Sequence, residues 1–401
     1  MLVPLSWLRE FAPLEAGIDE IVDACNQLGL VVDAVHEPGR DVAGVVAARV
    51  LDVKDHPNAD KLTLVDVELG GGRTTTVVCG ARNLAPGDVV PYAAAGATLP
   101  GRPRLERRKI RGVVSDGMLC SAMELGLDED HSGILHLDGT AELGRDVRSV
   151  LGLDDVILDL DITPNRPDAM SIVGVARELA AHFSVPLRVP APPAGAVDGD
   201  VRGATVAVEA PDRNPRYVAR VASVTVGPSP EWMQRRLTAA GMRPISNVVD
   251  VTNYVMLERG QPLHAFDFGR LGGRGIVVRL ADEGEQMTTL DGVVRTLTRE
   301  DLLICDAQRV AQAIAGIMGG GASEVAGDTT EILLESAYFE PTGIGRSSKR
   351  LGLRTESSSR FERGVDPNGA LEAADRAIEL MTQIAAADAA PGARDEYPQP
   401  I

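Results

Sequence analysis

The chain has 401 residues, of which 44% are hydrophobic and only 3% aromatic, with 42 glycines and 25 prolines. That is length for two to four domains at roughly 100–200 residues each, with Val, Leu, Ile and Ala filling the core between many turns. The formal net charge of −18 excludes a protein that binds polyanions over its whole surface, so any nucleic-acid contact must come from a local basic patch or a partner.

Met1 leads into Pro4, Arg9 and Glu10 rather than a basic segment and an apolar run, and no stretch approaches the ~20 apolar residues of a membrane span. Cys25, Cys79, Cys120 and Cys305 form no Cys-x-x-Cys pair, which argues against a zinc site or a disulfide framework. A cytoplasmic protein with no membrane contact is expected. Residues 1–39 read as a small α/β piece. Ile21, Val22, Cys25 and Leu28 predict a helix over 18–28 that Gly29 stops, and Ser6-Trp7-Leu8 offers a packing anchor. From Asp41 short β runs follow at 45–53, 62–67, 75–79 and 89–95, spaced by Gly, Pro and Asn turns. Strands at such spacing predict a small barrel or sandwich.

Two features of this region are polar. One is the tight turn His56-Pro57-Asn58-Ala59-Asp60-Lys61-Leu62. The other is Arg102-Pro103-Arg104-Leu105-Glu106-Arg107-Arg108-Lys109-Ile110-Arg111, the densest basic run in an acidic chain. A β-barrel with a basic edge suits an oligonucleotide binder. Tyr92 is the only aromatic between Asp41 and Val150, so contact would be with phosphate rather than with stacked bases. The run reads equally well as a solvated face.

Beyond this region a strand is expected at 156–162, a turn at Thr163-Pro164-Asn165-Arg166-Pro167-Asp168, a helix at 171–183 and a linker at 189–200. The largest unit covers 204–386, starting with strands at 205–209 and 217–226. Ser229-Pro230-Glu231-Trp232 predicts a helix capped by Ser229 and closed by Gly241. Residues 247–268 then set Asp250, Thr252 and Asn253 in an apolar run, and the turn Gly260-Gln261-Pro262 delivers His264 between apolar neighbours. Polar groups there are costly to bury unless paired. The stretch is either a site, or a helix with capped polar residues and one satisfied core histidine.

Further strands are expected at 276–280, 302–305 and 310–315. The cluster Gly316-Ile317-Met318-Gly319-Gly320-Gly321 matches no dinucleotide or P-loop fingerprint and suits close backbone approach or a turn with positive φ. Glu335 closes the apolar strand 331–336; such a carboxylate has a partner if buried, or faces water at a strand end. Residues 351–364, rich in hydroxyls and mixed charges, read as a polar pocket wall or a solvated loop. Asp366-Pro367 is expected to cap a last helix running to about 385, and 391–401 to form a tail without structure. No metal-ligand spacing, GxSxG elbow or Ser/His/Asp order stands out.

Taken together, seven stretches resemble the beta chain of bacterial phenylalanine–tRNA ligase, from Trp7 to the helix after Pro367. They are His56-Pro-Asn-Ala-Asp-Lys-Leu62, Ser115-Asp-Gly-Met-Leu-Cys120, Asp130-His-Ser-Gly-Ile134, Ile162-Thr-Pro-Asn-Arg166, Asp250-Val-Thr-Asn-Tyr254, Gly260-Gln-Pro-Leu-His-Ala-Phe266 and Arg360-Phe-Glu-Arg-Gly-Val-Asp-Pro367. The resemblance implies an α+β multidomain protein in which an OB-type β-barrel is inserted in a small α/β domain and followed by a mixed α/β editing domain. The implied boundaries are 1–39 with 151–195 for the N-terminal domain, 40–150 for the tRNA-binding barrel, 205–390 for editing and 391–401 for a tail. Beta chains of this family continue into a magnesium-coordinating region, a degenerate synthetase-like fold and an anticodon-binding domain, for which no room remains before Ile401.

The family's editing pocket hydrolyses tyrosine wrongly attached to the phenylalanine tRNA. By resemblance, Glu335 accepts the tyrosine hydroxyl beside the backbone of Gly319. Arg243, Thr252, Asn253 and His264 hold the ester, the terminal ribose or the attacking water, with His264, Thr252 and Asn253 as the catalytic candidates. Thr355 and Ser357 complete the wall, at a position where relatives usually carry Ala instead of Ser357. Contact with tRNA falls to His56, Asn58, Lys61, Arg102, Arg104, Arg107, Arg108, Lys109 and Arg111. The implied partners are the alpha subunit, in a heterotetramer, and tRNA(Phe). This segment shows no ATP signature; ATP and Mg2+ serve the whole complex, and phenylalanine activation belongs to the alpha chain. The contrasting expectation is a tRNA-docking and assembly module with a silent editing pocket.

Overall fold

The computed structural model describes every residue except Asp130, His131, Ala194, Gly195, Asp198 and Gln399. The first two residues of the Asp130–Ile134 motif, part of the 189–200 linker and one tail position therefore lie outside the described residues. The chain divides into two compact units, Val35–Ile157 and a discontinuous one made of Met1–Ala34 with Leu158–Ile401. Both are mixtures of short strands and helices.

In Val35–Ile157 a five-stranded antiparallel sheet runs in the order Thr74–Cys79, Thr63–Glu68, Ala43–Asp55, Val89–Thr98, Gly117–Leu119. The long strand Ala43–Asp55 is irregular near Ala43/Val45 and near Val50/Asp52, which bends it and re-aims its side chains. Valines and alanines on both of its faces are buried in two separate clusters, as the short Val/Ala-rich runs require of a sheet with little aromatic volume. The basic run leaves this sheet as a hairpin, Arg108–Ile110 with Val113–Ser115. Its two turn residues, Arg111 and Gly112, both have positive φ (47° and 96°), the geometry that matches the twist of a two-residue hairpin.

The larger unit is built on two sheets. One has the order Ala196–Val197, Gly392–Glu396, Arg216–Ser223, Glu331–Tyr338, Leu263–Asp267. The other has the order Thr205–Val208, Gly275–Leu280, Leu302–Asp306, Ala311–Ile314, Met318–Gly319. Tyr217, Ala219, Val221, Phe266 and Leu333 from the first sheet and Ile276, Val278, Leu303 and Ala313 from the second share one buried cluster. Alternation along Arg216–Ser223 sends Arg220 to the opposite face, where it forms a buried ion pair with Asp375 of the helix Gly369–Ile384. No helix among the described residues is long and apolar enough to cross a membrane.

Four expectations change. Residues 391–401 are not a bare tail: Gly392–Glu396 is a strand paired with Arg216–Ser223. The sequence Gly-Ala-Arg-Asp-Glu has no strand alternation, and Asp395, gripped by the Arg216 guanidinium at 2.9 and 2.6 Å, is what ties it in. Residues 351–364 are not a solvated loop, because Glu356–Phe361 is helical, and the preceding helix Pro341–Leu351, mostly polar and glycine-containing, was not foreseen either. Ser229 does not cap the helix Glu231–Ala239, since its hydroxyl donates to Asp250 at 2.6 Å. The last helix begins at Gly369 with no side-chain cap, while Asp366 accepts from the Asn368 N–H instead.

Candidate functional site

The helix Asn247–Arg259 is buried nearly all round, which a helix with no polar face must be. Two of its polar residues are accounted for structurally. Asn247 accepts from the Gly227 N–H at 3.0 Å and donates to the carbonyls of Thr225 and Ile384. Asp250 accepts from Ser229 Oγ and from the Ile245 N–H at 2.7 Å. The satisfied-core reading holds for these two positions. Gly260 then ends the helix with φ +80°, a conformation that glycine adopts without strain. The chain reverses through Gln261 and Pro262 into the strand Leu263–Asp267.

That strand lies antiparallel to Glu331–Tyr338 with His264 directly across from Glu335. Opposed residues share a face with Cβ atoms roughly 5 Å apart, so imidazole and carboxylate stand side by side. Both line a hollow of about 70 Å³ together with Gly319, Ser357 and the apolar walls Leu263, Ala313, Ile314, Ile317, Met318 and Phe361. Glu335 sits inside its strand and is buried, so it is not an edge carboxylate facing water. Tyr217 Oη donates to Glu335 Oε2 at 2.8 Å.

The site's electrostatics follow from burial. Burial pushes the Glu335 carboxyl up to about 7, with the Tyr217 hydroxyl holding it back. Burial alone pulls His264 down to about 4, so the imidazole is neutral at physiological pH and able to take a proton. The edge of its ring meets Phe266 at 4.5 Å between centroids, which fixes its plane. Gly319 faces it from the other sheet: a Cβ there would lie 2.7 Å from His264 Cε1 and 3.0 Å from Nε2. The glycine is needed for space, not for its backbone angle.

Of the remaining expected residues, only Ser357 lines the hollow. Thr355 caps the helix Glu356–Phe361 in a capping box with Ser358, and its hydroxyl donates to the Ile317 carbonyl at 3.0 Å. It thereby ties the Ser357 wall to the glycine segment instead of facing the hollow. Ser357 Oγ lies 3.8 Å from the sulfur of Met256. Thr252 is one helical turn before Met256, on the same face, with its hydroxyl donated to the Val249 carbonyl at 2.7 Å. Asn253 is half-buried beside it and Arg243 is exposed; neither lines the hollow. Tyr217 is the residue that sequence reasoning missed. It reads as an ordinary strand residue until register makes it the diagonal neighbour of Glu335.

The basic hairpin of the smaller unit is held from below. His56 is buried, with Nε2 3.3 Å from the Ile110 carbonyl and Nδ1 accepting from the Asn58 N–H at 3.1 Å. Asn58 Nδ2 donates to the Arg111 carbonyl at 3.1 Å. Both side chains are spent on positioning the hairpin tip. Arg102 pairs with Glu124 and Arg107 with Asp116, while Arg104 donates to the Gly96 carbonyl at 2.8 Å. Lys61, Arg108, Lys109 and Arg111 are exposed, with no carboxylate partner among the described residues. Tyr92 is buried and offers no stacking surface.

Residues 45–146 match the family described as a putative tRNA binding domain, and residues 213–386 match the B3/4 domain. The phenylalanine–tRNA ligase beta subunit of Anaeromyxobacter dehalogenans is 50% identical over 388 residues, covering 96% of this chain and 48% of that protein. The subunit of the same name from Syntrophus aciditrophicus is 48% identical over 403 residues, covering 100% of this chain and 50% of that one. Moorella thermoacetica has a third, 49% identical over 405 residues, with 99% and 50% covered. The chain spans about half the length of the curated relatives it matches.

Proposed function

Because the chain belongs to the family of phenylalanine–tRNA ligase beta subunits, we propose that it removes tyrosine misattached to tRNA(Phe) by hydrolysing the ester in the hollow beside His264 and Glu335. One observation carries the reading: a buried carboxylate and an imidazole paired across two strands in one hollow whose walls are mixed polar and apolar. Phenylalanine and tyrosine differ by one hydroxyl. A synthetic pocket rejects that extra group poorly, whereas a second pocket that hydrogen-bonds it rejects phenylalanine well, because its own polar group would stay unpaired. Glu335 is the acceptor for the phenol. His264, neutral and fixed, orients the attacking water or takes its proton, and the Gly319 backbone keeps the opposite wall close enough to hold the ring. Ser357, Thr355 and the Thr252–Asn253 face support the ester end, and Arg243 is left free for the tRNA strand.

The smaller unit supplies tRNA contact through Lys61, Arg108, Lys109 and Arg111. An OB-type barrel is supported by its strand order and by the hydrogen bond from the Val78 N–H to Ser115 Oγ, 3.0 Å, which links the two outer strand regions. The domain limits 1–39 with 151–195, 40–150 and 205–390 belong to the same proposal. Aminoacylation itself, with ATP and Mg2+, falls to the alpha subunit of a heterotetrameric cytoplasmic complex. Among the described residues no group of three or more His, Cys, Asp or Glu side chains is arranged to hold an ion. The test is deacylation of tyrosyl-tRNA(Phe) by the chain and by Glu335→Ala. Tyrosine released by the wild type at least tenfold faster than by the variant supports editing; equal background rates leave only a tRNA-docking module.

A further inference from the structure

We propose that Tyr217 is a positioning residue that decides how the hollow tells tyrosine from phenylalanine, by holding one oxygen of Glu335 so that the other is presented to the substrate phenol. This rests on the editing reading above. The register places Ala219 opposite Glu335 and Tyr217 opposite Ala337, so Tyr217 is the diagonal neighbour of Glu335 on the hollow's face of the sheet, a spacing that an aromatic side chain bridges. Its ring is fully buried in the core cluster shared by the two sheets. Its hydroxyl reaches Glu335 Oε2 at 2.8 Å, while Glu335 Oε1 has no hydrogen-bond partner among the described residues and belongs to a side chain that lines the hollow.

The protein thus surrounds its own carboxylate with two phenol positions, one permanent and one for the substrate. The permanent one does two jobs. It removes rotational freedom from the carboxylate, and it favours the ionised form, which accepts from a hydroxyl rather than competing to donate. Tyrosine fills the second position. Phenylalanine leaves Oε1 bare, and a bare buried acceptor is penalised. Were Tyr217 only a core residue that happens to be satisfied by Glu335, its loss would lower stability and leave discrimination unchanged.

The experiment follows hydrolysis of tyrosyl- and phenylalanyl-tRNA(Phe) between pH 5.5 and 8.5 by the full chain, Tyr217→Phe, Glu335→Gln and the double variant. Tyr217→Phe is expected to lower the tyrosine-over-phenylalanine preference roughly tenfold or more at pH 7.5 and to move the midpoint of its pH dependence upward. On the Glu335→Gln background the same change should have no further effect on preference. A preference and midpoint unaltered by Tyr217→Phe overturn the proposal, as does an equal loss on the Gln background. If the Phe variant fails to fold, 3-fluorotyrosine at position 217 keeps the shape and strengthens the donor, and the midpoint should then move down; an unmoved midpoint is contrary. Absence of any wild-type hydrolysis brings down the editing reading and this proposal with it. Hydrolysis insensitive to Tyr217 brings down this proposal alone.

Discussion

Glu335 and His264 titrate in opposite senses, and the consequence is measurable without any substrate. The Glu335 carboxyl is raised from 4.5 to about 7, so its stability contribution is fullest below pH 4.5 and falls as pH climbs to about 7. His264 is lowered from 6.5 to about 4, so its contribution is fullest above pH 6.5 and falls as pH drops towards 4. Each shift corresponds to a few kcal/mol, on the order of 3. Between pH 4.5 and 6.5 the two slopes cancel. Glu335→Gln should therefore leave a stability that rises from pH 4 to 6.5, and His264→Gln one that falls from pH 4.5 to 7, as read from denaturant midpoints; parallel profiles for the two variants would refute this pairing. A second expectation concerns Gly319→Ala. Its Cβ would lie 2.7 Å from His264, so the ring must swing away, costing roughly 1–3 kcal/mol and slowing tyrosine release. Glu335 and His264 were both legible in the sequence as anomalies, a carboxylate in an apolar strand and a histidine between apolar neighbours. Their meeting was not, because cross-strand register depends on contacts some seventy residues apart in the chain.

At the scale of the element, the basic hairpin shows how a charge run and its support divide the labour. The sequence announced the run itself. It did not announce that His56 and Asn58 face inward to grip the hairpin's carbonyls, since a His-Pro-Asn turn looks the same whichever way its side chains point. Reversing Arg108, Lys109 and Arg111 together should weaken tRNA binding and flatten its logarithmic salt dependence by roughly two to three units. His56→Ala should weaken binding by loosening the tip while leaving that slope nearly unchanged. Filter binding at four or five salt concentrations separates the outcomes, and an identical slope in the triple variant would return the run to a solvated face. The short helix Glu356–Phe361 gives the converse case: its capping box was present in the letters Thr-Glu-Ser-Ser, but six residues are too few for a periodicity to emerge.

The molecule as a whole is less legible than its parts, because its larger unit closes through segments that carry little signal of their own. Gly392–Glu396 adds a strand next to Arg216–Ser223, and Asp395 is the counter-charge of the nearly buried Arg216. Asp395→Ala should cost about 3–5 kcal/mol, since it leaves that guanidinium buried without its partner. Thermal melting will read this directly, and a change under about 1 kcal/mol would mean that Arg216 finds another acceptor or water. The strands expected from the sequence are all present, but many short ones, Leu2–Pro4, Val31–His36 and the His264-bearing Leu263–Asp267 among them, were not foreseen. Order within the sheets, where neighbours come from the beginning, middle and end of the unit, is a property of closure and could not be read from any one window.

The discontinuity of that unit also sets a timetable for birth on the ribosome. Leu2–Pro4 takes its sheet partner from Ile157–Asp161, so the opening residues are synthesised long before the strand that receives them. Val35–Ile157, about 120 residues, emerges in between, a delay of roughly ten seconds at bacterial elongation rates. During that interval Trp7 has no ring to stack on, because Tyr254, 4.5 Å from it in the finished unit, has yet to be made.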